Sequence, residues 1–253
     1  MAGAPPELKI EELLIETVRR LLAGAHHVAA GANSPIPLAA ALLQQWRESS
    51  MIVSLQQSPE LNLFTDGGRE LFDAAGQGRI DVFFFSGAEI DGQGNINLVA
   101  IGDYAKPTAR FPGTYGAAFL YFTVPRIILF RTEHSRRTLV EKVSFVSAPG
   151  VSPPDVWRRG GPVALVTPLC LFAFDKSKGR FRLASLHPGH TLEEVRDRTG
   201  FAFDADASVP ETPAPTPELL AELRGPVARE LAKAYPKFAA DVFGVTVRAG
   251  ASA

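Results

Sequence analysis

Six short apolar runs punctuate the chain, and none shows the strict polar alternation of a half-solvated strand. They are Met51 to Leu55, Leu61 to Phe64, Ile80 to Phe85, Arg126 to Phe130, Val143 to Val146 and Val163 to Val166. A strand that reads as nearly continuous apolar sequence has to be covered on both faces, as in a mostly parallel sheet flanked by helices. Two stretches supply such helices. Ile10 to Ala23 carries Leu13, Leu14, Val18, Leu21 and Leu22 at helical spacing, and Pro37 to Arg47 carries Leu38, Leu42 and Leu43. The expected fold class is therefore α/β, a layered, mostly parallel sheet covered by helices.

At 253 residues with 46% hydrophobic content the chain can bury a full core. Residues 1–205 are expected to form the α/β domain. Pro210, Pro213, Pro215 and Pro217 mark an exposed linker, so 206–253 read as that linker followed by a helical tail, Pro217 to Phe243, wrapping the domain or a partner. A formal net charge of −1 with no basic block supplies no field for neutralising phosphates, so nucleic acid is not an expected partner. Glu7, Glu11 and Glu12 stand where a signal peptide would be positive, and the apolar stretch Ala117 to Phe130 is interrupted by Pro125 and Arg126. No membrane partner and a cytoplasmic location are expected. The single cysteine, Cys170, lies in an apolar run, which excludes an internal disulfide and reads as a core residue. No metal site is expected: His187 and His190 are three apart but fall in a turn without an obvious third ligand, and read as surface or capping residues. Just beyond them, Thr191 and Glu194 have capping-box spacing for a short helix ending at Gly200.

The glycine-rich centre is the candidate ligand edge. Ser86-Gly87-Ala88-Glu89-Ile90-Asp91-Gly92-Gln93-Gly94-Asn95-Ile96-Asn97 follows a very apolar strand, and a second loop runs Arg110-Phe111-Pro112-Gly113-Thr114-Tyr115-Gly116-Ala117. Glycine after a buried strand lets backbone N–H groups approach a ligand, and equally serves a tight turn. Neither loop has the glycine spacing of a dinucleotide fingerprint or the Lys-Ser/Thr pair of a P-loop.

Taken in order, these motifs resemble the beta subunit of the class I CoA-transferase family, in its glutaconate CoA-transferase branch. Gly87-Ala88-Glu89-Ile90-Asp91 and Gly94-Asn95-Ile96-Asn97 carry the resemblance, followed in register by Ile101-Gly102-Asp103-Tyr104, Arg110-Phe111, Gly113, Gly116, Glu133-His134, Arg136-Arg137 and Ser147-Ala148-Pro149-Gly150. It covers roughly Ala25 to Phe203. The resemblance implies the CoA-transferase fold, no bound cofactor, a CoA thioester as substrate with dicarboxylic acyl groups among the candidates, and an alpha subunit completing a hetero-oligomeric site. In the family, a beta-subunit glutamate attacks the thioester, and the mixed anhydride becomes an enzyme-CoA thioester that passes CoA to a second acid. Loop amides stabilise the oxyanions, which places Gly87, Ala88, Gly113 and Gly116 in that role by resemblance.

Counted from Pro37, the nucleophile position falls on Gln57, an amide in place of the acid, and the long loop that usually follows is shortened. An amide is a far poorer nucleophile than a carboxylate, so covalent transfer through this position is expected to be lost. The working carboxylate then has three possible locations. Asp66 precedes Gly67-Gly68 and reads first as a helix N-cap. Glu89 stands where the family commonly has glutamine. The third is the alpha partner, as in family members that act as steroid-ring hydrolases or as a decarboxylase. A non-catalytic scaffold subunit is a reading from another class. Arg110, His134 and Arg136 are the expected contacts to substrate or CoA phosphates.

Overall fold

The computed structural model describes residues 7–246. In chain order, α1 (Ile10–Arg20), β1 (His27–Ala30), α2 (Pro35–Arg47), β2 (Ile52–Leu55), α3 (Gly67–Gly76) and β3 (Val82–Phe85) are followed by two short ribbons. These are β4 (Glu89–Ile90) with β5 (Ile96–Asn97), and β6 (Ala100–Ile101) with β7 (Ala109–Arg110). Then come α4 (Ala117–Thr123), β8 (Arg126–Phe130), β9 (Pro162–Val166), β10 (Cys170–Asp175), β11 (Arg180–Leu186) and α5 (Leu192–Arg198). The tail holds α6 (Pro217–Glu222), α7 (Ala228–Ala234) and α8 (Pro236–Phe243).

The main sheet has the order β11-β10-β9-β8-β3-β1-β2, parallel from β9 to β2 and antiparallel at β10 and β11. Successive residues of the parallel strands enter opposite cores: Val28, Ala30, Val82, Phe84, Ile128 and Phe130 on one face, Ala29, Phe83, Ile127 and Leu129 on the other. This two-sided burial is why those strands read as unbroken apolar sequence. Two of the apolar runs form no strand. Leu61 to Phe64 and Val143 to Val146 are loops, and Leu63, Phe145 and Val146 are exposed. A short apolar run becomes a strand only where a neighbouring strand accepts its N–H and C=O groups. The β10–β11 hairpin, by contrast, has the buried/half-buried alternation of antiparallel strands.

The tail closes the first core. Leu219, Leu223, Val227 and Leu231 are buried in the cluster formed by α1, α2 and the sheet, at about 1.5–3 kcal/mol for each large side chain. A π-helical turn, Leu223–Val227, joins α6 to α7 around Pro226, which has no N–H to donate to the regular ladder. Arg224 pairs with Glu12 of α1 at 2.5 Å, and Glu12 is 1% exposed. The segment before the tail runs along β11: Thr212 N–H donates to the Leu186 carbonyl at 2.6 Å, covering the sheet edge.

Thr191 caps α5 as expected, its hydroxyl accepting the Glu194 N–H at 3.1 Å. The Glu194 carboxylate does not return to complete the box; it goes to His190 and Arg198. His187 is not a surface residue. It is 1% exposed, with Nδ1 2.8 Å from the Thr212 hydroxyl, and burial pushes its pKa down to about 4. Cys170 is buried, and burial pushes its thiol up to about 12. No helix among the described residues is long and apolar enough to cross a membrane.

Candidate functional site

The connections of the parallel sheet diverge at its middle. From β1 the chain passes through α2 to β2 at one edge, and from β3 it passes through α4 to β8 on the other side. Such a switch point leaves a crevice beyond the carboxyl ends of the two strands. A cleft of about 1150 Å³ occupies that place. Its polar floor comes from the segments that follow the strands: Asn33 and Ser34 after β1, Gln56 and Gln57 after β2, Ser86 and Gly87 after β3, and Arg131 and Thr132 after β8. Its walls are apolar, with Phe83, Phe85, Phe111, Phe130 and Phe238.

The charged residues lining the cleft are Arg131 and Arg137. Among the described residues, none of those lining it is Asp, Glu, His, Cys or Lys. The hydroxyls of Ser86 and Thr132 therefore have no base beside them within the cleft. Arg131 is the unusual group. Its Nε is buried without a hydrogen-bond partner, and its nearest carboxylate, Glu133, is 3.8 Å away. Glu133 is already engaged by Arg137 at 2.6 Å and by the Ser135 hydroxyl at 2.6 Å. Desolvation holds the Arg131 pKa below its ordinary value, with Glu133 opposing that effect. A half-buried cation with so little local compensation is a site that an incoming anion stabilises.

The residues singled out in the sequence separate into two groups. Gln57, Gly87, Ala88 and Gly113 line the cleft. Gln57 is exposed, in the turn after β2. Gly87 has to be glycine, because a Cβ there would lie 2.7 Å from the Glu89 carbonyl oxygen. The Ala88 N–H is spent on the Asn97 carbonyl at 2.9 Å, so it is not free for a ligand. Gly113, with φ +112°, faces open space. Gly116 lies behind the rim as the N-cap of α4, with φ +71°, and does not line the cleft.

The remaining residues are held elsewhere. Glu89 is buried, and its carboxylate accepts from Asn97 Nδ2 at 2.7 Å, Ser144 N–H at 2.7 Å and the Ser144 hydroxyl at 2.9 Å. It braces the β4–β5 ribbon against the following loop. Asp66 occupies the N-cap position of α3 but its side chain does not cap; it pairs with Arg69 at 3.1 Å. The capping is done by Glu70, which accepts the Thr65 and Asp66 N–H groups at 2.5 and 3.2 Å. Arg110 donates to the Tyr104 carbonyl at 2.9 Å and lies over that ring. His134 is buried between the hydroxyls of Thr167 and Thr199, at 2.8 and 2.9 Å, and burial pushes its pKa down to about 4. Arg136 donates to the Asp197 carbonyl at the end of α5. The charged segment thus turns Arg131 and Arg137 towards the cleft, and His134 and Arg136 away from it. No group of three metal-ligating side chains occurs among the described residues.

Residues 6–198 match the family model described as Coenzyme A transferase. The B subunit of the 3-oxoadipate CoA-transferase of Pseudomonas knackmussii is 38% identical over 161 residues, 61% of this chain and 62% of that protein. The B subunit of the glutaconate CoA-transferase of Acidaminococcus fermentans is 34% identical over 150 residues, 56% of this chain and 55% of that one. The matches thus span less than two thirds of those relatives' own lengths. Among solved structures, the decarboxylase AibA/AibB superposes with a TM-score of 0.74 at 27% identity, covering 86% of this chain and 94% of the other.

Proposed function

The chain belongs to the coenzyme A transferase family, and from that premise we propose that it is a beta-type subunit that binds an acyl-CoA thioester in the cleft beyond β1, β3 and β8. One observation carries the mechanistic part of this reading: among the described residues lining the cleft there is no carboxylate, imidazole, thiol or amine to act as nucleophile or general base. Gln57 stands where the resemblance places the attacking glutamate, and a neutral amide does not form the mixed anhydride that covalent transfer requires. The catalytic carboxylate then comes from an alpha-type partner, and the reaction is hydrolysis or decarboxylation of the acyl-CoA. The decarboxylase AibA/AibB has the same fold as this chain, which fits such chemistry.

This chain's residues supply position and charge. On this reading the N–H groups of Gly87 and Gly113, from the two glycine-rich loops that line the cleft, stabilise the thioester oxygen as it gains negative charge, the role that loop amides perform in acyl transfer. The aromatic wall excludes water from the acyl group, which strengthens those polar contacts. Arg131 receives a carboxylate at the far end of the acyl group, which makes a dicarboxylic acyl-CoA the preferred substrate class. The guanidinium gains the partner that the protein itself does not provide.

The test is covalent trapping. The complex isolated from its native host is incubated with glutaryl-CoA, treated with borohydride or hydroxylamine, and the mass of this chain is measured. No adduct is expected on the wild-type chain, whereas Gln57→Glu, placing an acid in the same cleft-lining turn, is expected to be modified. A wild-type adduct on any residue of this chain would overturn the assignment of the carboxylate to the partner.

A further inference from the structure

The matched family region ends at residue 198, yet the cleft has a wall contributed from much further along the chain. Phe238 of α8 lines it, half-buried and packed edge-on against Phe243 with ring centres 6.2 Å apart. Three residues earlier, the Tyr235 hydroxyl accepts the Ser34 N–H at 3.0 Å. Ser34 is the N-cap of α2, in the segment that leads out of β1 into the cleft.

That segment has few means of fixing itself. Pro35 and Pro37 have no N–H to donate, the Ser34 side chain does not cap α2, and Asn33 sits at φ +52°. A non-glycine residue in the left-handed region persists where its surroundings hold it. Tyr235 supplies one such restraint from 201 residues away in sequence. The tail itself is anchored to the body by Arg224 on Glu12, by the Lys9 ammonium on the Val242 carbonyl and by the buried leucines of α6 and α7. Phe238 is therefore a wall on a fixed mount.

We propose that the C-terminal helical segment sets the acyl specificity of the cleft, with Phe238 as its specificity-determining wall and Tyr235 as a positioning residue for the loop after β1. This rests on the acyl-CoA reading above. Acyl length is limited because Arg131 holds one end of the ligand and Phe238 closes off space that a longer chain would enter.

The test uses calorimetric titration of the complex from its native host with glutaryl-CoA, adipyl-CoA, suberyl-CoA and free CoA. Phe238→Ala is expected to shift the suberyl-to-glutaryl affinity ratio upward by roughly 16- to 64-fold, two or three methylenes' worth of apolar burial at roughly fourfold each. Phe238→Trp is expected to shift it the other way, and free CoA should bind alike to all three proteins. An unchanged ratio in both variants, with free CoA still bound, overturns the wall. Failure of the wild type to bind free CoA or any thioester instead overturns the acyl-CoA reading, and the selectivity claim with it. Tyr235 is judged separately by hydrogen exchange, which needs no ligand. Tyr235→Phe is expected to raise the exchange rate of the Ser34 amide by about tenfold while the buried middle of α2 stays protected. Unaltered Ser34 exchange in that variant overturns the positioning role.

Discussion

Replacing Glu89 by glutamine and, separately, by leucine distinguishes a bracing carboxylate from a relocated catalytic one. The carboxylate accepts three hydrogen bonds inside the protein, two at one oxygen (Asn97 Nδ2 and Ser144 N–H) and one at the other (Ser144 hydroxyl). Glutamine can keep all three: its carbonyl oxygen takes the first two donors, and its NH₂ group donates to the Ser144 hydroxyl, which reverses its own role. The three bonds fall from charge-assisted to neutral strength, a loss of roughly 1 kcal/mol each, and removal of a buried charge offsets much of it. The expected cost of Glu89→Gln is thus about 1–2 kcal/mol. Leucine leaves one hydrogen of the fully buried Asn97 Nδ2 without its acceptor, at about 1–3 kcal/mol, while the Ser144 N–H belongs to an exposed residue and turns to water at a loss of roughly 1 kcal/mol, so Glu89→Leu should cost roughly 2–4 kcal/mol. Denaturant unfolding of the purified chain reads both values, and turnover of glutaryl-CoA by the complex reads the chemistry. The bracing argument fails if glutamine destabilises as much as leucine. It fails equally if Glu89→Gln folds with near wild-type stability but abolishes turnover.

Two further outcomes follow from buried charges and rings. His134 and His187 both have folded-state pKa values pushed from 6.5 to about 4 by burial. The unfolded chain therefore takes up protons first, and stability falls as pH drops from about 6.5 to 4, by up to ~3 kcal/mol for each histidine. His187→Asn should remove the His187 share of that slope in denaturant melts across the window, leaving the shares of His134 and of His27, whose pKa burial also lowers, and a slope identical to wild type would discount the buried-histidine account. Arg131→Gln should weaken glutaryl-CoA binding by tenfold or more while leaving butyryl-CoA binding within about twofold, read by calorimetry. Equal losses for both thioesters would show that Arg131 does not meet the distal carboxylate.

The fold was legible wherever the physics is local or two-sided. Val82 to Phe85 and Arg126 to Phe130 show their place in the middle of the sheet by being apolar at every or nearly every position, because helices cover both faces. By contrast β1, His27-Val28-Ala29-Ala30, has two alanines and too little β-branched content to stand out. It becomes a strand because β2 and β3 flank it. The runs Leu61 to Phe64 and Val143 to Val146 have the composition but no partner edge. The site divides in the same manner. Gly87 and Gly113, from the two glycine-rich loops, line the cleft, and each answers a backbone requirement visible in sequence. Which arginine of the Arg131 to Arg137 segment reaches the cleft depends on where β8 ends and how the chain then turns, and no local pattern encodes it. Phe238, 108 residues beyond the end of β8, carried no signal at all.

On the proposed reading Gln57 carries weight only if no other acid on this chain takes the catalytic role, and the two alternatives each already make local interactions. Glu89 and Asp66 are both committed to local tasks, one bracing a ribbon and the other paired on the surface at the start of α3. Moving either into the cleft would abandon hydrogen bonds or an ion pair already made. With those acids committed, the cleft carries positive charge from Arg131 and Arg137 and no negative charge of its own among the described residues. Such a surface favours two things: an anionic substrate, and a partner that brings a carboxylate to the open side. A carboxylate approaching this cleft is held ionised by the arginines, the state a general base needs near neutral pH. On the reading proposed above, the amide at Gln57 and the underpaired guanidinium of Arg131 are therefore two parts of one arrangement, in which this chain binds and polarises the thioester and its partner moves the proton.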